Sequence, residues 1–279
     1  MITIVTAFFD IGRADWSAYA RSVDRYFKNF ARLCLLENDV ILFTESKHRA
    51  RLAPLQSRKP NLTVYYDDDL FTRHEDLLAA ISRVQQLPAY RQGLNDPTCP
   101  EYNSPKYVLV NYLKSQFCVE AIQRSRPASD TVAWIDFGYL RKNRFLPRSL
   151  RWDYDFGDKI RMFRLLPIDG EIDWVHAIKN NTVYIQGCHL VAPQAKWPVM
   201  ARLMEESFQR LLAQDLMDDD QTLLLMSCLS APEHFEVLPA ELDARLSWFF
   251  IFRKFNRHEV TLSLMQKLRF FLRTVAIAR

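Results

Sequence analysis

The sequence predicts an α/β fold in which a mostly parallel sheet is flanked by helices. Short segments rich in β-branched and aromatic residues alternate with segments of helical periodicity from the start of the chain. This alternation favours parallel strands joined by right-handed crossovers. The 279 residues are 49% hydrophobic and 25% charged, as in an average globular protein, so the chain can form a large core.

The first half of the chain supplies four of the predicted strands. Ser104 is a good N-cap and Pro105 suits a first helical position, so a helix is predicted to begin there. The stretch 88–105 is rich in Pro, Asn and Asp and is predicted to be a long loop, which is often a functional lid. The strands are predicted at residues 2–9, 40–43, 62–66 and 131–135, and the earlier helices at residues 16–36 and 71–86.

The second half continues the same pattern. A strand is predicted near residues 160–165, and another at residues 182–191 with a break at Gly187. Helices are predicted at residues 194–214 and 222–228, and a last short strand at residues 235–238.

Composition argues against several classes of protein. The chain has only six glycines and no GxGxxG or GxxxxGK[ST] motif, which disfavours dinucleotide and P-loop sites. A net charge of +4 is too mild to indicate nucleic acid as a partner. The five cysteines include no CxxC pair, so neither a disulfide framework nor a zinc cluster is expected. The first residues lack a basic signal-peptide region, and no apolar run is long enough to span a bilayer, so a cytoplasmic protein is expected.

The most informative motif is the run Trp134-Ile135-Asp136-Phe137-Gly138-Tyr139. An apolar strand ends there at a single carboxylate, and ligands of open α/β sheets bind at the carboxyl ends of the strands. A nucleotide-sugar transferase needs a divalent cation beside the diphosphate, and carboxylate oxygens are ligands for such a cation. The alternative interpretation is that Asp136 only caps a turn.

A second motif is Asp218-Asp219-Asp220-Gln221, at the start of a predicted helix. Adjacent carboxylates raise the pKa of one another, which suits a general base on an acceptor hydroxyl. The alternative is a simple N-cap, because free N–H groups and the helix dipole stabilise acidic residues at that position.

Polar residues of the central helix form a third motif. Lys106, Asn111 and Lys114 are predicted to lie away from an apolar seam, and Lys114 could pair with diphosphate oxygens as a point charge. An ordinary solvated lysine is the alternative. The seam consists of Leu109, Leu113, Phe117 and Ala121.

Two further segments are candidates for ligand contact. The end of the first strand, Thr6-Ala7-Phe8-Phe9-Asp10, places small and polar residues where a base or ribose could bind, although Asp10 can equally be a turn residue. The break in Tyr184-Ile185-Gln186-Gly187-Cys188-His189 could let a sugar approach the backbone, or could be a plain bulge.

Taken in order, these pieces resemble the HtrL/YibB family of bacterial proteins over about residues 1–255. The family resembles glycosyltransferases of the GT-A type, which are Rossmann-related, and is encoded near surface-polysaccharide genes. The resemblance therefore implies transfer of a hexose, with galactose the first candidate, from a uridine-diphosphate donor to a surface glycan or lipid-linked glycan. The matching segments are residues 4–13, 37–39, 107–114, 134–139 and 219–221.

The resemblance also implies roles for individual residues. Asp136 stands where such enzymes have the first residue of a metal-binding Asp-x-Asp, so Mn²⁺ or Mg²⁺ is the expected cofactor, but Gly138 occupies the second position. Asp220 is the expected base on the acceptor side, with Asp219 as a rival, and in-line attack would invert the anomeric centre. The expected donor-binding residues are Thr6, Ala7, Phe8, Asp10, Arg13, Lys106, Asn111, Lys114, Trp134, Asp136 and Gly138, and the expected acceptor-binding residues are Gln186, Gly187, His189 and Gln221.

The C-terminal end is aromatic and basic. Residues 248–255 precede a predicted basic amphipathic helix, which forms a separate unit at residues 256–279. We expect this segment to lie on the anionic inner membrane surface, or else to pack on the domain or at a dimer interface. Two other functions stay open: a nucleotide-sugar hydrolase or nucleotidyltransferase, and a catalytically silent scaffold for polysaccharide assembly.

Overall fold

A seven-stranded sheet with helices on both faces forms the centre of the molecule. The computed structural model describes residues 1–240 and 248–259. The strand order is β3-β2-β1-β4-β6-β5-β7. The strands are β1 (Thr3–Phe8), β2 (Val40–Thr44), β3 (Leu62–Tyr66), β4 (Thr131–Ile135), β5 (Ile160–Arg164), β6 (His189–Pro193) and β7 (Phe235–Pro239).

The first four strands run parallel, as the sequence predicted. β1 pairs with β2 and β4, and β2 pairs with β3, all in parallel register. β6 is antiparallel to both β4 and β5, and β7 is parallel to β5. The fold class is therefore confirmed as a mostly parallel mixed α/β sheet, and the carboxyl ends of β1 and β4 lie side by side.

Helices cover the two faces of the sheet and create two apolar layers. The predicted seam of the central helix is buried against one face, with the side chains of Leu109, Leu113, Phe117 and Ala121 all inaccessible to solvent. The helices are α1 (Val23–Leu33), α2 (Arg49–Arg58), α3 (Leu70–Arg73), α4 (Glu75–Gln86), α5 (Pro88–Arg91), α6 (Pro105–Tyr112), α7 (Lys114–Ser125), α8 (Trp174–Lys179), α9 (Trp197–Ala213), α10 (Asp220–Ser230) and α11 (Ile251–Lys254).

Side-chain caps fix the two helix starts that matter for the site. The hydroxyl of Ser104 accepts a hydrogen bond from the backbone N–H of Tyr107 at 3.2 Å, so α6 begins where the sequence predicted. The carboxylate of Asp219 accepts from the backbone N–H of Gln221 at 2.9 Å and caps α10. The capped start of α10 lies at the cleft described below, whereas the capped start of α6 lies at a different cavity and later residues of α6 reach the cleft.

Two predicted elements begin later in the structure than the sequence indicated, and one helix was not predicted. The helix expected at residues 16–36 begins only at Val23, because Tyr19 has a left-handed backbone (φ 57°) and Ser22 caps the helix. The strand expected at residues 182–191 begins only at His189. Helix α8 lies in a stretch for which no helix was predicted.

The aromatic run at residues 248–255 packs largely on the domain, which was the alternative that the sequence left open for this segment. Ile251 and Phe252 are fully buried, and the indole N–H of Trp152 donates to the backbone carbonyl of Phe255 at 2.8 Å. The chain stays on the domain as far as Glu259, whose carboxylate accepts from the backbone N–H of Arg148 at 2.9 Å. The predicted amphipathic helix falls on residues 260–279, outside the described residues. Within the described part, no helix is long and apolar enough to cross a bilayer.

Candidate active site

A cleft of about 410 Å³ opens at the carboxyl edge of the sheet. The ends of β1 and β4, helices α6 and α10, and residues 248–249 form its walls. Four acidic and four basic side chains line it: Asp10, Asp136, Asp219 and Asp220, with Arg13, Arg21, Lys114 and Arg141. The cleft is therefore charged but nearly balanced, which suits a polar, anionic ligand.

One buried lysine joins two of these acids. The ammonium group of Lys114 donates to Asp220 at 2.7 Å and to the backbone carbonyl of Gly187 at 2.9 Å, and it lies 3.1 Å from Asp136. These contacts engage all three of its N–H bonds. Burial opposes the charge, yet the two carboxylates raise the pKa of Lys114 above its ordinary value. Lys114 is therefore a permanent cation beneath the cleft, and not the solvated side chain of a polar helix face that the periodicity predicted.

Asp136 faces the cleft from the end of β4. Its side chain is 39% exposed, whereas the side chains of Lys114 and Asp220 are almost fully buried. The indole N–H of Trp134 donates to Oδ1 of Asp136 at 2.9 Å, the same oxygen that Lys114 approaches. Lys114 and Trp134 thus hold Oδ1 of Asp136, and Oδ2 is the oxygen that can contact a ligand in the cleft.

Gly187 makes room for Asp220. A methyl group placed on Gly187 would lie 1.9 Å from Oδ2 of Asp220, far inside van der Waals contact. The predicted break at this glycine therefore serves the approach of a carboxylate to the backbone. Together with Lys114, this contact holds Asp220 in one position.

Asp219 differs from Asp220 in its surroundings. Its Oδ1 caps helix α10, and no hydrogen bond to its Oδ2 is found within the described residues. Burial first, and then the charges of Asp220 and Asp218, raise the pKa of Asp219 well above its ordinary value. Asp219 thus has the properties of a general base more clearly than Asp220, which Lys114 keeps paired.

Most of the residues predicted from the sequence meet in this cleft. Thirteen of them line it: Ala7, Phe8, Asp10, Arg13, Asn111, Lys114, Trp134, Asp136, Gly138, Gly187, Asp219, Asp220 and Gln221. Segments far apart in the chain are brought together because β1 and β4 are neighbours in the sheet and α10 begins at the same edge.

Four predicted contact residues do not line the cleft. Thr6 and Gln186 are fully buried, and so is His189, which packs among the rings of Tyr139 and Phe163. Thr6 lies within β1 and His189 begins β6, where alternate side chains point to opposite faces of the sheet, whereas Gln186 lies just before β6 and in no strand. Lys106 lies over the ring of Phe71 at 4.7 Å and lines a different cavity, so we correct its assignment to donor binding.

The structure adds residues that the sequence did not indicate. Arg21, Arg141, Trp248 and Phe249 all line the cleft. Arg21 falls in the segment predicted as helix, and the two aromatic residues fall in the segment assigned to the C-terminal end. No sequence motif or periodicity indicated Arg141. A weak signal existed only for Trp248 and Phe249, as an aromatic run next to basic residues.

The described residues do not fit a protein-held divalent metal at Asp136. Such a metal needs several oxygen ligands, and no group of three or more His, Cys, Asp or Glu side chains is arranged to hold one in residues 1–240 and 248–259. Oδ1 of Asp136 already receives an ammonium group and an indole N–H. Gly138 stands where a second carboxylate would be needed. The counter-charge of Asp136 is therefore Lys114.

Comparison with known proteins gives a family for the whole chain. The model of the family described as "Bacterial protein of unknown function (HtrL_YibB)" matches residues 1–257. Protein HtrL of Escherichia coli (strain K12) is 35% identical over 284 residues, which cover 97% of this chain and 97% of that protein.

Several solved structures are similar to this chain. Apo mouse xyloside xylosyltransferase 1 has 15% identity and a TM-score of 0.42, covering 89% of this chain and 93% of its own. The glycosyltransferase GlyE of Streptococcus pneumoniae has 8% identity and a TM-score of 0.41, covering 99% of this chain and 62% of its own. The PaToxG glycosyltransferase has 9% identity and a TM-score of 0.38, covering 99% and 86%.

Proposed function

We propose that this chain, which belongs to the HtrL_YibB family, is a glycosyltransferase that moves a hexose from a nucleoside-diphosphate donor to a glycan hydroxyl. One observation carries the proposal: Asp136, Asp219 and Asp220 meet at the carboxyl edge of a parallel sheet, on the floor of one cleft. Ligands of such sheets bind at that edge. The cleft volume of about 410 Å³ lies in the range of small-molecule sites.

Asp219 is the proposed base. Its free oxygen would take the proton from the acceptor hydroxyl, while that hydroxyl oxygen forms a bond to the anomeric carbon. The bond from the anomeric carbon to the diphosphate breaks in the same step, and the nucleoside diphosphate leaves with the electron pair. Attack in line with the leaving group inverts the anomeric centre.

Asp220 and Lys114 are proposed to position the site. Asp220 is held by the Lys114 ammonium at 2.7 Å and by close contact with Gly187, so it cannot readily accept a proton from a substrate. Burial is the largest cause of the raised pKa of Asp219, and the negative charge of Asp220 raises it further, which keeps that carboxylate basic enough to act.

Asp136 is proposed to contact the sugar ring, since its Oδ2 faces the cleft. A carboxylate at this place can accept hydrogen bonds from sugar hydroxyl groups. Uridine diphosphate with galactose is the first donor to test, and a surface glycan or lipid-linked glycan is the proposed acceptor. Trp248, which lines the cleft, offers an aromatic ring on which a base or a sugar ring could stack.

A donor screen tests the proposal directly. The full chain is incubated with a panel of uridine-, guanosine- and cytidine-diphosphate sugars, with and without glycan acceptors, and release of the nucleoside diphosphate is measured. We expect acceptor-dependent release for one donor, and loss of it in Asp219→Asn. Asp215→Asn serves as a matched control, because Asp215 is an exposed aspartate four positions before Asp219 and does not line the cleft.

Two outcomes would contradict the proposal. Release that is independent of any acceptor would identify a hydrolase. Absence of a thermal shift with every nucleotide would favour a scaffold, because a bound ligand at 100 times its Kd should add about 2.7 kcal/mol of stability.

A further inference from the structure

Two arginines on the wall of the cleft have no carboxylate partner among residues 1–240 and 248–259. Arg21 lies just before α1, and Arg141 follows the turn after β4. Neither forms an ion pair in the described part of the chain, and no side-chain hydrogen bond is found for either guanidinium there. Most cations at the edge of a protein cleft are balanced, so this pair needs an explanation.

The two guanidinium groups also act on each other. Burial lowers the pKa of Arg141, and the positive charge of Arg21 lowers it further. Phe249 holds the Arg141 side chain in place, with the guanidinium carbon 4.9 Å from the ring centroid. Arg141 is exposed and Arg21 is half-buried, so solvent screens part of their repulsion, and an anion bound by both in the shared cleft would reduce it further.

The other two cations of the cleft are already engaged. Lys114 is bound by Asp136, Asp220 and a backbone carbonyl. The guanidinium of Arg13 donates to the backbone carbonyl of Tyr19 at 3.0 Å and to the hydroxyl of Tyr26 at 3.1 Å. Arg21 and Arg141 are therefore the cations of the cleft for which no side-chain hydrogen bond or ion pair is found in the described part of the chain, and their guanidinium donors can all turn to an incoming anion.

We infer that Arg21 and Arg141 form an anion site that takes the diphosphate group of the donor without a divalent metal. The inference rests on the proposed function and adds the means by which the leaving group is bound. Guanidinium groups match phosphate oxygens with paired hydrogen bonds, and two of them supply two of the positive charges that a diphosphate needs. Lys114 partly neutralises the carboxylates of Asp136 and Asp220 on the floor of the cleft, so these carboxylates repel the diphosphate less than they would without it.

Binding of inorganic pyrophosphate and of uridine diphosphate to the full chain tests this site. Titration calorimetry is done in EDTA, so that no divalent metal is present. We expect both ligands to bind the wild type, and Arg21→Gln and Arg141→Gln to bind each about 10- to 100-fold more weakly, the scale of a lost charge-assisted hydrogen bond.

Arg49→Gln is the matched control. Arg49 is exposed and stacks on an aromatic ring, 4.3 Å from the centroid of Tyr66, as Arg141 stacks on Phe249, but it does not line the cleft. We expect Arg49→Gln to bind pyrophosphate like the wild type. Thermal unfolding of all three variants checks that each is folded.

Three outcomes separate the inference from the proposed function. Binding that appears only after Mn²⁺ or Mg²⁺ is added, or that is unchanged in both cleft variants, would overturn the anion site even if sugar transfer is observed. Pyrophosphate binding that depends on both arginines supports the anion site, whether or not a sugar is transferred. Failure of every donor in the screen, with that binding intact, would count against the transferase alone.

Discussion

The ammonium nitrogen of Lys114 lies 2.7 Å from Oδ2 of Asp220, although 106 positions separate the two residues in the chain. Both side chains are almost completely buried. A charge in such a place is tolerated only when it is paired, because removal from water costs several kcal/mol per ion. This contact therefore links the stability of the domain to the arrangement of its site.

Removal of the lysine charge should destabilise the protein strongly. Lys114→Met leaves Asp220 buried without a counter-charge, and we expect a loss of about 3–5 kcal/mol in the free energy of unfolding. Urea denaturation followed by fluorescence measures it. The double variant Lys114→Met, Asp220→Asn should lose less than the sum of the two single variants, because no unpaired carboxylate remains in the interior.

A surface ion pair gives the matching control. Arg202 pairs with Glu206 along helix α9, and both side chains are more than half exposed. Arg202→Met should cost less than about 1 kcal/mol. Equal losses for Lys114→Met and Arg202→Met would show that the buried contact has no special role.

A methyl group at Gly187 should disturb both folding and activity. In Gly187→Ala the new Cβ would sit 1.9 Å from Oδ2 of Asp220, so the carboxylate or the backbone must move. We expect a loss of about 1–3 kcal/mol, as for other overpacked sites. In an Asp220→Ala background the same change should cost much less, and full additivity of the two would contradict the steric explanation.

Loss of the Asp136 charge should slow turnover with little effect on the fold. Asp136→Asn keeps the size of the side chain but removes the charge that faces the sugar, and we expect turnover of the donor to fall by ~100-fold or more. Asp130→Asn is the control, because Asp130 is exposed at the opposite end of β4. Comparable activity of the two variants would remove Asp136 from the mechanism.

The rate should depend on the protonation of Asp219. A base acts when it is deprotonated, so activity is lost as the pH falls through its pKa. Because burial and the neighbouring charges of Asp220 and Asp218 raise that pKa, the acidic limb of kcat should lie above pH 3.8, the ordinary value for aspartate. A kcat profile from pH 4 to 8 locates this acidic limb, below which kcat should fall about tenfold for each pH unit. A flat profile would argue for another base.

Acid should destabilise the fold through His189. Burial, followed by the charge of Lys114, lowers the pKa of this histidine from 6.5 to about 3. The unfolded chain binds a proton at His189 in this pH range, and the folded chain does not. The stability that His189 contributes above pH 6.5 is therefore lost as the pH falls from 6.5 toward 3. The free energy of unfolding should drop by about 2 kcal/mol between pH 7 and pH 5 from this residue.

Variants at two histidines separate this effect from general acid sensitivity. His189→Leu suits the ring-lined pocket and removes the titrating group, whose Nε2 has no hydrogen-bond partner among the described residues. The pH dependence of its urea midpoint should be flatter than that of the wild type. His176→Gln, at an exposed position on α8, should keep the wild-type dependence. The opposite ranking would mean that His189 does not titrate as described.

Local pattern was enough to find the strands and the edge at which the site lies. The apolar run that ends at Asp136 and the first strand that ends near Asp10 both predict side chains at the carboxyl ends of strands. In a parallel sheet those ends meet, so the shared cleft followed from the fold class. The cap at Asp219 was also visible, since acidic residues stabilise a helix start.

The sequence did not reveal how the charges are paired. Lys114 follows an apolar seam, and helical spacing alone places it on the polar side. Arg21 lies in a segment that was predicted as helix. Hydrophobic periodicity does not reveal a residue with a left-handed backbone, such as Tyr19, so the later start of the helix was missed. His189 and Gln186 were assigned to the cleft because the side of a strand that faces the core depends on pairing with its neighbours.

The sequence by itself therefore determined the alternation of strands and helices, the capped starts of α6 and α10, and the presence of acids at the rim of the sheet, since each depends on neighbours within a few residues. Only the tertiary structure decided that Lys114 is buried between Asp136 and Asp220, and that Arg21 and Arg141 are left without a carboxylate in the described part of the chain. The cost of a charge depends on burial and on partners that chain folding brings from distant segments.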